Sequence, residues 1–178
     1  IGNQRVLTEN KAENLNKIFM KSYNVLKKLP VITKVKEDGN SFLMIVNETT
    51  HAPALLQEPE YVPAMKVDNT DYEAKNAHRF NVDGKVLVMK NKPQYMQYQI
   101  TMSAFANLGK WLEYLKENGV YDNTRIILVS DHGSGVGQFN PLVLRERKVV
   151  DELGSYFPLL LVKDFGSKEF TTSEEFMT

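Results

Sequence analysis

The sequence predicts an α/β fold: three layers, α/β/α, around a mostly parallel sheet. Two apolar runs of strand length, Ser-Phe-Leu-Met-Ile-Val-Asn at 41–47 and Thr-Arg-Ile-Ile-Leu-Val-Ser at 124–130, show no alternation, as strands covered on both faces should not. A long amphipathic stretch, 96–118, lies between them and supplies a crossover helix, which should be right-handed if the two runs are parallel neighbours. Turn-forming, polar loops come after both runs, at the edge where open α/β sheets bind their ligands.

The elements can be justified in order. Residues 9–29 place Leu15, Ile18, Phe19, Val25, Leu26 and Leu29 at helical spacings, with Thr8 as the N-cap and Pro30 as the stop. Glu37-Asp38-Gly39-Asn40 is a turn signal ahead of the first apolar run. Residues 49–95 carry Pro53, Pro59, Pro63 and Pro93 and read as irregular, apart from a short hairpin around Asp83-Gly84. In 96–118, Phe105, Leu108, Leu112 and Leu115 form one stripe, joined by Ile100, Met102 and Trp111, and Asn118-Gly119 closes the helix. The single Trp is expected in the core. The run 156–165, Tyr-Phe-Pro-Leu-Leu-Leu-Val-Lys-Asp-Phe, is another candidate buried strand.

Composition removes several function classes. The 178 residues suffice for one domain with a core, and 22 basic against 22 acidic residues give zero net charge, so no global field draws nucleic acid. No cysteine is present, which excludes a thiolate zinc site, a cysteine nucleophile and disulfides within these residues. No apolar run approaches the roughly 20 residues that cross a bilayer. The chain opens on Ile1 and closes on Glu-Glu-Phe-Met-Thr, and a piece of a longer polypeptide is expected.

The chemistry concentrates beyond the two apolar runs. Glu48-Thr49-Thr50-His51-Ala52-Pro53 comes after the first, and Asp131-His132-Gly133 after the second, so two of three histidines stand at the predicted ligand edge. Carboxylate oxygen with neutral imidazole nitrogen suits zinc or manganese. A capped polar turn is the plain alternative for either segment. Gly133, Gly135 and Gly137 also suggest a phosphate-cradling loop, but Pro141 stands where a long helix would have to start and no Gly-Lys-Ser/Thr appears. Ser134 lacks the Gly-x-Ser-x-Gly setting of a hydrolase nucleophile. His78 lies in a polar stretch and is expected at the surface.

Taken together, "GVYDNTRIILVSDHG" at 119–133 and "FLMIVNETTHAP" at 42–53, separated by a helix ending in "WLEYLKENG", resemble the sulfatase-like branch of the alkaline phosphatase superfamily. That branch includes sulfatases, lipoteichoic acid synthases and phosphoethanolamine transferases. The likeness spans about residues 40–165, with "FPLLLVKDF" at the position of a later strand.

The resemblance implies an alkaline-phosphatase-like α/β/α fold, of which residues 1–178 would be the C-terminal portion of a single catalytic domain, with the sheet incomplete. It implies Asp131 and His132 as ligands of a divalent metal (Zn, Mn, Mg or Ca) in an incomplete site, and His51 as the contact to the substrate's phosphate or sulfate. The nucleophile and another metal carboxylate would lie upstream, leaving this segment without a catalytic nucleophile and inactive alone. The implied substrate is a phosphate or sulfate ester, lipid-linked or on a glycan, and the remainder of the catalytic domain is the implied partner. The implied setting is the extracytoplasmic face of a bacterial membrane, with a membrane-anchored parent. The alternative is a non-catalytic binding module that keeps the fold without a nucleophile.

Overall fold

The computed structural model describes residues 9–11, 17–146 and 149–173. A strand β1 (Glu9–Lys11) precedes helix α1 (Lys17–Ile32). An irregular stretch then leads to β2 (Lys66–Asp68), helix α2 (Thr70–Asn76) and a 3-10 turn (Ala77–Phe80). A hairpin of β3 (Asn81–Val82) and β4 (Lys85–Val86) comes before the long helix α3 (Lys92–Glu117). Strand β5 (Ile126–Val129), hairpin strands β6 (Val143–Glu146) and β7 (Val149–Glu152), and β8 (Leu160–Lys163) complete the order.

Helices and strands mix along the chain as an α/β fold requires, but the predicted parallel sheet is not formed among the described residues. Their sheets are two-stranded and antiparallel: β1 with β2, β3 with β4, β5 with β8 and β6 with β7. The run at 41–47 is not a strand: it has no ladder partner, and Phe42 and Val46 are 91% and 81% exposed. Strand composition alone does not make a strand, because the pleated backbone needs a neighbour for its amides. With no strand at 41–47 there is no parallel pair and no crossover for the helix to make. Strand β5 does form where expected, and the 156–165 run supplies β8 opposite it, yet Leu160 and Val162 are exposed.

Helix α1 also differs from expectation. It is described over Lys17–Ile32, and Glu9–Lys11, expected in the helix, pair antiparallel with Lys66–Asp68 instead; Thr8 and Leu15 lie outside the described residues. Pro30 sits inside its last turn instead of stopping it. Proline so near an end removes only one intrahelical donor, and Thr33 N still reaches Leu29 O at 2.9 Å. The buried face is Phe19, Tyr23, Leu26 and Leu29, spaced by three or four residues, whereas Ile18 and Val25 face solvent.

Helix α3 begins earlier than the apolar stripe suggested. Asn91 and Gln94 form a reciprocal capping box, and Pro93 occupies the first turn, where its missing N–H costs nothing. At the other end Gly119 takes φ +68°, the left-handed value expected after Asn118. The face it buries is rotated from the predicted stripe: Tyr95, Gln99, Ile100, Ser103, Ala104, Asn107 and Leu115 are buried, while Phe105 is exposed. Small residues at 103 and 104 let α1 approach closely, and Leu26, Leu29 and Ala104 form a cluster flanked by Leu108 and Trp111. Each leucine so buried contributes about 1.5–3 kcal/mol relative to exposure. Trp111 packs there as expected, its Nε1 donating to Thr33 Oγ1 at 2.9 Å.

Residues 52–56 run between the helices without regular structure, yet Ala52, Ala54, Leu55 and Leu56 are buried. Side-chain amides replace the missing ladder. Leu56 N donates to Gln99 Oε1 at 2.9 Å, and Asn69 Nδ2 donates to Leu56 O at 2.8 Å. Nearby, Arg79 is clasped by two buried carboxylates, Glu58 and Glu73, and stacks 4.1 Å from the Phe80 ring centroid. Tyr95 Oη donates to Glu73 Oε1 at 2.8 Å, joining α3 to this cluster. The Asp83-Gly84 hairpin is as expected, with both turn residues at positive φ.

Candidate functional site

Strand β5 is extended by one further exchange with the run before β8: Ser130 N donates to Leu159 O at 3.0 Å, and Leu159 N donates to Ser130 Oγ at 2.7 Å. The pairing therefore delivers Asp131 and His132 to the strand's C-terminal end, where their side chains are 89% and 62% exposed. Gly133 then passes against the 154–157 segment, its N–H donating to Ser155 O at 2.9 Å. A Cβ there would collide with the carbonyl oxygens of Gly154 and Phe157, so only glycine permits this approach.

The two side chains are oriented by their own backbone. Asp131 Oδ1 accepts from His132 N at 3.0 Å, and His132 Nδ1 lies 2.6 Å from Gly133 O. A carbonyl only accepts, so Nδ1 carries the proton, and Nε2 of the neutral ring is left with a free lone pair. The unengaged atoms, Nε2 and Asp131 Oδ2, stand 3.8 Å apart. That is within the span of two metal–ligand bonds of about 2.1 Å each, so the pair fits a shared divalent cation. Among the described residues no group of three or more His, Asp or Glu could hold a metal, so the pair has no third such ligand there, and His51 does not join it.

His51 arrives by another route than predicted. No strand precedes it; a turn over residues 49–52 carries it into solvent. Asn47 Nδ2 donates to Ser22 O on α1 and its Oδ1 accepts from Thr49 N, fixing the turn, whose Thr49 is fully buried. Gln97 Nε2 donates to Thr50 O at 3.4 Å. His78 is exposed, as expected of its polar stretch.

The first turns of α3 thus reach both candidate loops. Gln97 touches the His51 turn, and Gln94 Nε2 donates to Val136 O and Gly137 O, each at 3.1 Å. Gln138 Nε2 returns to Gln94 O at 2.9 Å. Sequence reasoning singled out none of these glutamines; Asn91-x-x-Gln94 around Pro93 is the capping signature that could have found the first. A hollow of about 480 Å³ at the far end of α3, lined by Lys116, Tyr121, Asp122 and Lys168 among others, contains no predicted site residue.

Among the described residues no helix is long and apolar enough to cross a membrane. No curated protein and no solved structure gives a significant match to the chain. A family model described as Sulfatase matches residues 3–177. Nearly the whole chain is covered, so the Asp131-His132 strand end lies within an α/β protein of sulfatase-like hydrolase or transferase type, a family that uses a divalent metal on ester substrates. The chain belongs to the sulfatase family of the alkaline phosphatase superfamily.

Proposed function

We propose that the chain contributes part of the active site of a metal-dependent enzyme that hydrolyses a sulfate ester or transfers a phosphate-ester group. Asp131 and His132 are two of its metal ligands, and His51 contacts the anionic group of the substrate. The carrying observation is the pair of free ligand atoms, Asp131 Oδ2 and His132 Nε2, 3.8 Å apart at a strand end. When bound, a divalent metal supplies Lewis-acid neutralisation of the transferring group and lowers the pKa of the nucleophile. The residues of this chain do the holding: Gly133 O fixes the His132 tautomer, and the His132 amide fixes the Asp131 carboxylate.

The nucleophile and remaining ligands belong to the rest of the catalytic domain, of which residues 1–178 are the C-terminal portion. The apolar, exposed run at Phe42–Val46 and the exposed apolar side chains of Ile127, Val129, Leu160 and Val162 support this, because they have the composition of strands meant to be covered. The segment alone is then inactive. We place the parent at the extracytoplasmic face of a bacterial envelope, acting on a lipid-linked or glycan ester, on the strength of the motif resemblance. A binding module without a nucleophile is the second reading, favoured by the two-ligand set.

The test is metal content. The complete domain should carry stoichiometric divalent metal by elemental analysis, and Asp131→Asn with His132→Ala should abolish it. Stoichiometric metal retained in that double variant would sink the assignment. Turnover of a sulfate monoester or a phosphodiester by the complete domain separates the enzyme from the module.

A further inference from the structure

The turn that carries His51 is fastened everywhere but at its tip. Asn47 Nδ2 donates to Ser22 O on α1 at 2.9 Å, and Asn47 Oδ1 accepts from Thr49 N at 3.0 Å. His51 N donates to Glu48 O at 3.2 Å and closes the turn. Thr49 and Ala52 are buried, Ala52 in one cluster with Phe19 and Tyr23 of the same helix. Between them only Thr50 and His51 face solvent. Among the described residues no hydrogen bond engages the His51 imidazole.

Both ends of the Asn47 amide are used, and each partner admits one kind of atom. A backbone N–H needs an acceptor and a backbone carbonyl needs a donor, so Thr49 and Ser22 together fix which way the amide faces. Aspartate would set a second oxygen against Ser22 O, and alanine would serve neither partner. A surface turn can be closed by its own backbone, as the His51 amide closes this one. The bond to α1 adds something else: it fixes the turn against the body of the protein. Fixing a backbone beneath an imidazole that makes no bond of its own limits where that ring can stand before a ligand arrives. Ordering in advance lowers the entropic cost of engaging the ligand.

We propose that Asn47 is a positioning residue for His51: by fastening the 47–52 turn to Ser22 on α1, it presents the imidazole to the anionic group of the ester substrate. Only the ester in this statement rests on the reading of His51 as the substrate contact.

Two measurements test the two halves. Backbone amide relaxation by NMR on the full chain should give His51 an order parameter of about 0.85, and Asn47→Ala should lower it below about 0.6. Kinetics of the complete domain on p-nitrophenyl sulfate and bis-p-nitrophenyl phosphate read the consequence. Asn47→Ala should lower kcat/KM by about tenfold to a hundredfold. With His51→Ala already present, the further loss should be less than about twofold, because Asn47 acts through the imidazole. A role confined to stability would lower both backgrounds alike. Should Asn47→Ala fail to fold by far-UV circular dichroism, Asn47→Ser keeps an acceptor for the Thr49 amide without serving Ser22 O, and goes through the same measurements. An unchanged order parameter at His51, or an equal loss of kcat/KM with and without the imidazole, overturns the proposal. If His51→Ala alone leaves kcat/KM unchanged, the reading of His51 as substrate contact fails, and the order parameter still decides the clamp.

Discussion

The Gln94 side-chain amide donates to the carbonyl oxygen of Val136 at 3.1 Å, bridging 42 residues of sequence from the start of α3 to the glycine-rich turn. The same residue closes the capping box with Asn91, its Oε1 accepting from Lys90 N and Asn91 N. One buried side chain therefore starts a helix and holds the loop behind Asp131 and His132.

Gln94→Ala should destabilise the chain by about 1–3 kcal/mol, since a cap and two carbonyl contacts go together. Asn91→Ala removes only the cap and should cost about 1 kcal/mol. Urea unfolding gives both values, and amide hydrogen exchange separates the roles. Faster exchange at Val88, whose N–H bonds Gln138 O at 2.8 Å, is expected for Gln94→Ala and not for Asn91→Ala. Equal exchange in both variants would remove Gln94 from the loop.

Two glycines predict opposite outcomes. At Gly133 a Cβ would strike two backbone carbonyls, which cannot swing aside as side chains do. Gly133→Ala should displace the loop from the 154–157 segment and cost about 3 kcal/mol or more, the upper range for overpacking against fixed atoms. Gly109 lies in the middle of α3 with nothing within 4 Å of an added Cβ. Gly109→Ala should stabilise by about 0.5–1 kcal/mol through helix propensity alone. Thermal denaturation of the two variants decides both.

These positions show which features were legible in sequence and which were not. The Asp83-Gly84 hairpin, Gly119 and the Asp131-His132 strand end depend on local rules of φ and residue order, and each sits where those rules put it. The run at 41–47 has strand composition but no partner among the described residues, and pairing is a non-local fact that no window of sequence contains. The rotated face of α3 was hidden for a related reason. Gln99 is buried to bond the Leu56 amide of the irregular 52–56 segment, and Ser103 and Asn107 are buried along the same side of the helix, so apolar periodicity pointed to the wrong stripe.

The buried cluster around Arg79 should be the costliest place to remove a charge. Arg79 donates to both Glu58 oxygens, at 3.1 and 2.9 Å, and to Glu73, whose other oxygen accepts from Tyr95. Arg79→Ala would leave two carboxylates at 4% and 2% exposure without their counter-charge. A loss of about 3–5 kcal/mol is expected by urea unfolding. Tyr95→Phe removes one hydrogen bond to a charged group and should cost about 1.5–3 kcal/mol. A smaller loss in Arg79→Ala than in Tyr95→Phe would show that the carboxylates are not held by the guanidinium.

Acid should weaken the β5–β8 end of the molecule in a defined window. The backbone N–H of Phe165, with Arg125 next, holds the Asp164 carboxyl below its ordinary value, and Lys168 does the same for Asp122. A folded-state pKa below the unfolded one gives stability that is present above about pH 4 and is lost as pH falls through the lowered value. Glu58 has the opposite sign: burial pushes its carboxyl up, only partly offset by Arg79, so its protonation in mild acid favours the folded chain. Stability should therefore hold as pH approaches 4 from above and decline below it. The urea midpoint measured across this pH range reads the effect directly. Asp164→Asn should flatten the decline below about pH 4 and leave the curve above it unchanged in slope. An equally steep decline in that variant would mean that the acid sensitivity arises elsewhere.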